Sequence, residues 1–265
     1  MRDLVRQELV ARQVDEQIIA RFPVGRRLRV LDVGMGRGGQ ALRLARAGHQ
    51  VTGVERDPEM ISAARQALAA EPEGIRERVR LLQGDGRDTG VHFLPGSFDV
   101  VLCHGVLMYV EEPDPLLAGL ARMLAHGGLL SLVVCNGDAP AMLPGLSGDW
   151  AGALAALDAA PRSAALDPAA LDSAALDPDL AGEPPSGPGP GLRADRLQDL
   201  TATLAGIGAP LHAWYGVRVF TDTAADRVGA APADVETLLA VEERAGRTDP
   251  YRSVAALLHL CGVRD

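Results

Sequence analysis

The sequence predicts an α/β fold built on a parallel sheet, and three observations carry that expectation. Apolar runs of strand length recur through the first half and alternate with stretches whose apolar residues follow helical spacing. The first run, Leu28 to Val33, breaks into Gly34, Gly36, Gly38 and Gly39 before a helical pattern (Leu42, Leu44, Ala45) begins. The second run, Gln50 to Val54, ends on the carboxylate Glu55. In such folds ligands bind at the carboxyl ends of the strands. The glycine turn and Glu55 are therefore expected to meet in one crevice.

The elements follow in order. Residues 3–20 place Leu9 or Val10, Val14 and Ile18 at helical spacing, which predicts a helix ahead of the core. Strands are expected at 28–33, 50–55, 79–83, 98–103 and 128–135, with helices near 39–47, 57–70 and 113–125. From Ala155 the character changes. Ala-Ala-Leu-Asp recurs at 155–158, 164–167, 169–172 and 174–177, and the Pro/Gly density of 182–191 forbids regular structure there. The span 155–191 reads as a mobile segment, either a passive low-complexity linker or a lid over the substrate mouth. Order is expected to return with a helix at 193–206, a strand at 211–220, a helix from Ala233 to Arg244 and a last strand from Val254 to Cys261. The organisation is then an N-terminal helix closing the site (1–25), a ligand-binding core (26–150), the linker or lid (151–191) and a C-terminal completion of the sheet with a helical insertion (192–265).

Composition bounds the function. Hydrophobic content of 47% over 265 residues describes a soluble globular protein, and no apolar run reaches the ~18 residues of a membrane helix. The N-terminus is charged and lacks a signal-peptide core. Cys103, Cys135 and Cys261 lie in apolar runs without metal-ligand spacing, so buried free thiols, no metal site and a cytoplasmic location are expected. The net charge of −9 argues against a broad nucleic-acid surface but not against a local basic pocket. All 26 basic residues are Arg, which suggests a coding bias rather than a mechanism.

Glycines at 34, 36 and 38 permit a tight turn and close approach of a ligand to the backbone. Glu55 can accept hydrogen bonds from both hydroxyls of a ribose. Gly34-x-Gly36-x-Gly38 is tighter than the dinucleotide pattern, although Gly39 completes that pattern from Gly34, so the residues alone leave a nucleoside or a dinucleotide open.

The surroundings favour the nucleoside. Val30-Leu31-Asp32-Val33-Gly34-Met35-Gly36-Arg37-Gly38 resembles motif I of the class I S-adenosylmethionine-dependent methyltransferases. Val54 to Met60, Gly84-Asp85-Gly86, Phe98 to Leu102 and Leu124 to Leu130 fit that family in order. The resemblance implies a Rossmann-like class I methyltransferase fold, a mostly parallel seven-stranded sheet with helices on both faces, and S-adenosyl-L-methionine as cofactor. Gly34, Gly36 and Gly38 would then lie against the methionine part, with Asp32 supporting the loop or reaching the amino group through water. Glu55 would hold the ribose, and Arg56 would cover the adenine. Asp85 would accept from the adenine amino group, with the Gly86 amide on a ring nitrogen. His104, just past the fourth strand, is expected in the crevice. A turn or cap role for Asp32 and Asp85, and a core role for His104, remain open.

The C-terminal half narrows the resemblance. Phe98 to Val110, Gly127 to Asn136, Gly216 to Asp222, Leu238 to Arg244 and Asp249-Pro250-Tyr251 are similar to segments of the bacterial tRNA methyltransferases that esterify 5-carboxymethoxyuridine at the wobble position. Val5-Arg6-Gln7 is similar to that family's Leu-Arg-Gln, which implies that Arg6 pairs with the cofactor carboxylate. Arg218 and Tyr251 are the expected substrate contacts. Alternation along a strand from Leu211 to Phe220 puts Arg218 on the face of Gly216 and Phe220, where it binds an anionic acceptor or pairs with Glu242 or Asp222. The resemblance covers roughly 1–150 and 192–265 and fails between them, where the tRNA enzymes carry a lysine-rich segment. The acceptor therefore stays open between a small carboxylate or hydroxyl and tRNA, beside a non-catalytic cofactor-binding protein. A carboxylate acceptor needs no base. For other acceptors His104 or Tyr109 would serve as the catalytic base.

Overall fold

The computed structural model describes residues 2–158, 165–166, 192–221 and 235–265. Helix α1 (Arg2–Arg21) precedes a seven-stranded sheet formed by β1 (Arg29–Val33), β2 (Gln50–Glu55), β3 (Val79–Gln83), β4 (Phe98–His104), β5 (Leu124–Cys135), β8 (Leu211–Val217) and β9 (Leu257–Val263). The strand order is β3-β2-β1-β4-β5-β9-β8. The pairings among β1 to β5 are parallel, and β9 runs antiparallel between β5 and β8. A two-residue pair, β6 (Ala165–Leu166) and β7 (Leu192–Arg193), stands apart from the sheet.

Alternation along the strands sorts the core into two layers. On one face Val30, Val51, Val100, Leu102, Leu129, Val133, Val217 and Cys261 pack with Val10, Val14 and Ile18 of α1 and with α2 (Gly39–Arg46). On the other, Leu31, Val33, Val101, Cys103, Leu130, Leu132, Leu258 and Leu260 pack against α6 (Pro113–Met123) and α9 (Leu197–Gly206). Fully burying a side chain of this size contributes about 1.5–3 kcal/mol relative to leaving it exposed. Parallel strands buried on both faces need such continuous apolar runs, which is why they were legible. The three cysteines are free and buried. No described helix is long and apolar enough to cross a membrane.

Helix α3 (Pro58–Ala69) starts at a cap the sequence spells out. Asp57 accepts from the Glu59 and Met60 amides at 2.7 and 3.1 Å, with Pro58 opening the first turn. Helices α4 (Glu73–Arg76), α5 (Thr89–His92), α7 (Met142–Ser147), α8 (Trp150–Asp158) and α10 (Val235–Ala245) complete the described set. Helix α10 packs its Leu239 against Val5 and Leu9 of α1.

Four expectations need adjustment. The strand expected over 211–220 stops at Val217, because Arg218 turns left-handed (φ 64°), so alternation does not place Arg218. The helix expected from 193 starts at Leu197, after residues 192–193 pair with 165–166. The strand expected from Val254 starts at Leu257, after a 3₁₀ turn over Tyr251–Val254. Strand β5 begins at Leu124 rather than 128; its ladder with β4 shifts register between Phe98 and Val100, which absorbs Gly127 and Gly128. Most of the segment expected to be mobile, 155–191, lies outside the described residues; Ala155 to Asp158 continue α8.

Candidate cofactor and acceptor site

The carboxyl ends of β1, β2 and β4 lie side by side, where sheets of this kind hold their ligands in a crevice. Gly34, Gly36 and Gly38 all adopt positive φ (68°, 55° and 80°), a conformation that L side chains rarely take. At Gly34 the turn also runs out of space. A Cβ there would stand 2.2 Å from Cγ2 of Val106, in the loop after β4. The glycine loop and the post-β4 loop are therefore in contact across the crevice floor.

Glu55 fastens the loop to the end of β2. Its Oε2 accepts from the Gly36 amide at 2.9 Å and its Oε1 from the Asp57 amide at 3.0 Å. The backbone carbonyls of Val54 and Glu55 accept from Gly34 and Gly84 at 2.8 and 3.0 Å, tying in the turn after β3. Each carboxylate oxygen keeps acceptor capacity beyond its one amide.

Asp32 lies one strand over, paired in register with Gly53 of β2. It is buried, and its Oδ2 has no hydrogen-bond partner among the described residues. Burial, reinforced by the Glu55 charge, pushes its carboxyl up to about 7. Two carboxylates share this pocket, one committed to backbone amides and one unsatisfied. Such a pair favours neighbours that carry positive charge or strong donors.

Asp85 takes the turn-capping role left open beside the adenine contact. It caps the short turn at 86–88 by accepting from the Arg87 amide, and the Arg87 guanidinium forks onto both its oxygens (2.6–3.1 Å). That pairing holds the carboxyl below its usual range, with Arg56 adding to it. The Arg87 side chain is 66% exposed. An exposed pair of this kind is worth about 0.2–1 kcal/mol, so a ligand donor can displace it. Gly86 is required by space: a Cβ there would stand 2.3 Å from Val33 Cγ1.

His104 ends β4, partly exposed, with Nε2 2.8 Å from Ser131 Oγ. Its proton affinity is held well below the ordinary range by burial, by His259 and by the Arg6 cation. Arg6 of α1 is itself buried, close enough for its charge to act on His104. Tyr109 closes the 3₁₀ turn Leu107–Tyr109 and is 37% exposed.

The other expected contacts lie farther along the sheet. Arg218 is buried just past β8, five strand spacings from β2, or roughly 24 Å. Glu242 of α10, the carboxylate considered as its partner, accepts from the amides of Val219, Phe220 and Thr221 at 2.7, 3.0 and 2.7 Å. Tyr251 is half exposed, its ring 6.3 Å from that of Phe220. The structure thus gathers Arg6, Asp32, Glu55 and His104 with the glycine loop, and sets Arg218 and Tyr251 at the far end of the sheet.

Sequence reasoning missed Ser131, His259 and Gln13, which continue from His104 into the core. Ser131 and His259 are polar interruptions of otherwise apolar buried strands, and that signal was present.

Comparison with known proteins fits this geometry. Residues 31–132 match the family described as Methyltransferase domain. Residues 31–132 thus carry a methyltransferase domain, and the fold is that of the class I S-adenosylmethionine-dependent methyltransferases. The chain is 34% identical over 132 residues to the tRNA 5-carboxymethoxyuridine methyltransferase of Escherichia coli K12, covering 50% of this chain and 49% of that protein. It is 34% identical over 108 residues to a ubiquinone biosynthesis O-methyltransferase of Xanthomonas euvesicatoria, covering 41% of this chain and 43% of that protein. The chain therefore spans about half the length of the curated relatives it matches, or less. The fold extends beyond the methyltransferase domain: magnesium protoporphyrin IX methyltransferase of Synechocystis, solved with bound S-adenosylhomocysteine, aligns with TM-score 0.58 at 18% identity over 99% of this chain and 84% of that one. S-adenosylmethionine is the cofactor of such domains, and the unsatisfied Asp32 oxygen, the positive-φ glycines and Glu55 fit it.

Proposed function

We propose that the protein transfers a methyl group from S-adenosylmethionine to oxygen, with a carboxylate as the favoured acceptor. The observation that carries the cofactor reading is Asp32. A buried carboxylate oxygen without a partner, beside Glu55 and under a glycine loop, suits the cationic amino-acid end of the cofactor. Glu55 would accept from the ribose hydroxyls with its spare lone pairs. Gly34, Gly36 and Gly38 would admit the methionine part, and Arg6 would pair with its carboxylate. Asp85, exchanging its Arg87 partner, and the Gly86 amide would meet the adenine, with Arg56 over it. The cofactor supplies an activated methyl for in-line displacement, so the chain's own work is positioning and exclusion of water.

The carboxylate is favoured by what His104 lacks. A general base works best with a proton affinity near the operating pH, and His104 is held well below it. A carboxylate is ionised already and needs no base. The ubiquinone relative's name supports an oxygen acceptor, and the tRNA relative keeps tRNA open as its carrier. Arg218 and Tyr251 lie at the β8 edge of the sheet, so any contact they make would be with a part of the acceptor remote from the methyl-accepting oxygen. Incubation with labelled S-adenosylmethionine and, separately, bulk tRNA and a small-molecule extract tests the reading. Base-labile label, as expected of a methyl ester, is the predicted product. Alkali-stable label would transfer the reading to a hydroxyl acceptor, with Tyr109 or His104 as base. No transfer to either pool, with cofactor bound, would favour a non-catalytic binding protein.

Asp32 gives this reading a pH signature. Its folded proton affinity is raised, so the unliganded protein loses stability as pH climbs from the ordinary carboxyl range to about 7, and the full penalty remains above that. A cationic ligand favours the ionised form, so binding should release a proton and strengthen about tenfold from pH 6 to pH 8. Asp32→Asn should flatten that dependence. Calorimetry in two buffers of different ionisation enthalpy reads the proton directly. Proton-neutral binding at pH 6.5 would remove Asp32 from contact with the cation.

A further inference from the structure

On the α1 side of the sheet a hydrogen-bonded chain runs from the crevice into the core. His104 Nε2 lies 2.8 Å from Ser131 Oγ, which lies 2.8 Å from His259 Nε2. His259 Nδ1 lies 2.7 Å from Gln13 Oε1 on α1. Gln13, Ser131 and His259 are fully buried. The chain crosses three adjacent strands, β4, β5 and β9, and ends on a helix.

Its polarity can be worked out. Burial drives His259 down to about 3, so its imidazole is neutral and carries one N–H. Oε1 of Gln13 can only accept, which puts that proton on Nδ1 and leaves Nε2 a lone pair. Turning the Gln13 amide would reverse this, and in either orientation one amide atom lacks a partner among the described residues. With the Gln13 amide as placed, the Cys261 thiol, kept protonated by burial and with Sγ 3.5 Å from His259 Nε2, adds a second, weak donor toward that lone pair. Ser131 then donates to His259 Nε2, and its oxygen accepts from His104 Nε2–H. Among the described residues nothing hydrogen-bonds His104 Nδ1.

We propose that Gln13, Ser131 and His259 are positioning residues that lock His104 in the Nε2–H tautomer, so that Nδ1 is a fixed neutral acceptor for an N–H or O–H donor of the bound ligand. The tautomer stands independently of the transferase reading; the role of Nδ1 toward a ligand rests on it.

Nitrogen NMR of the ¹⁵N-histidine-labelled full chain, without ligand, tests the lock. His104 should show a protonated Nε2 and a bare Nδ1, and His259 the reverse. Gln13→Glu keeps an acceptor opposite His259 Nδ1 and should preserve the pattern. Gln13→Leu removes it and should convert His104 into a mixture of tautomers. S-adenosylhomocysteine affinity should fall roughly three- to tenfold in Gln13→Leu and be retained in Gln13→Glu. A protonated Nδ1 on His104 in the parent protein overturns the proposal. So does a folded Gln13→Leu with unchanged tautomer and affinity. Should Gln13→Leu fail to fold, the parent spectrum and Ser131→Ala, which cuts the chain at its middle, decide the matter. Loss of methyl transfer with the tautomers as stated would count against the proposed function alone.

Discussion

Replacing Glu55 by Ala should weaken S-adenosylmethionine binding by tens-fold or more. The carboxylate holds the Gly36 and Asp57 amides, and so joins the glycine loop to the start of α3. On the proposed reading the same two oxygens accept the ribose hydroxyls. Charged hydrogen bonds contribute about 1.5–3 kcal/mol each, and each 1.4 kcal/mol is a factor of ten in affinity. The variant also leaves two backbone donors to find water, so the loop should loosen before any ligand arrives. Glu55→Gln keeps one acceptor oxygen and turns an NH₂ toward the other amide, and should sit between the two. Titration calorimetry with S-adenosylhomocysteine, alongside a melting curve, separates binding from folding. A folded Glu55→Ala with parental affinity would exclude Glu55 from the cofactor site.

The largest loss of stability should come from Glu242→Ala. One fully buried carboxylate accepts three consecutive backbone amides at 219–221, directly after the left-handed Arg218. Alanine leaves three donors without that acceptor, the buried Thr221 amide at about 1–3 kcal/mol and the part-buried Val219 and Phe220 amides at less. For a chain of this size the total corresponds to a melting temperature lower by about 10 °C. Denaturant unfolding with an unchanged slope should give the same ordering. A melting temperature within about 2 °C of the parent would mean that the 218–221 turn holds itself. Because Arg218 enters that turn, its distance from the crevice should change most in this variant.

Much of the core was legible because its strands are buried on both faces and write themselves as apolar runs. The glycine loop, Glu55 and the cap at Asp57 were legible because local geometry demands those residue types. Asp85 was harder: nothing in Gly84-Asp85-Gly86 says that Arg87 folds back onto it, since an exposed guanidinium chooses among partners by small energies. Arg218 misled because strand alternation assumes the strand continues, and a single positive φ ends it. The Gln13–His259 contact spans 246 residues of sequence. Periodicity identifies a face, not which distant residue meets it there.

The place of β9 has a consequence for how the chain assembles. This strand follows every other strand in sequence, yet it lies between two of them, β5 and β8. Until it arrives, β5 is an open edge of twelve residues, most of them apolar, with its backbone groups unpaired. During synthesis that edge waits for more than a hundred residues to be made, including the Ala-Leu-Asp and Pro-Gly tracts. Such long-range closure is slow, and the waiting edge is a template for pairing with another nascent copy. His259 rides on β9. The tautomer of His104 would thus be set only when the sheet closes, which makes the crevice among the last parts of the molecule to mature.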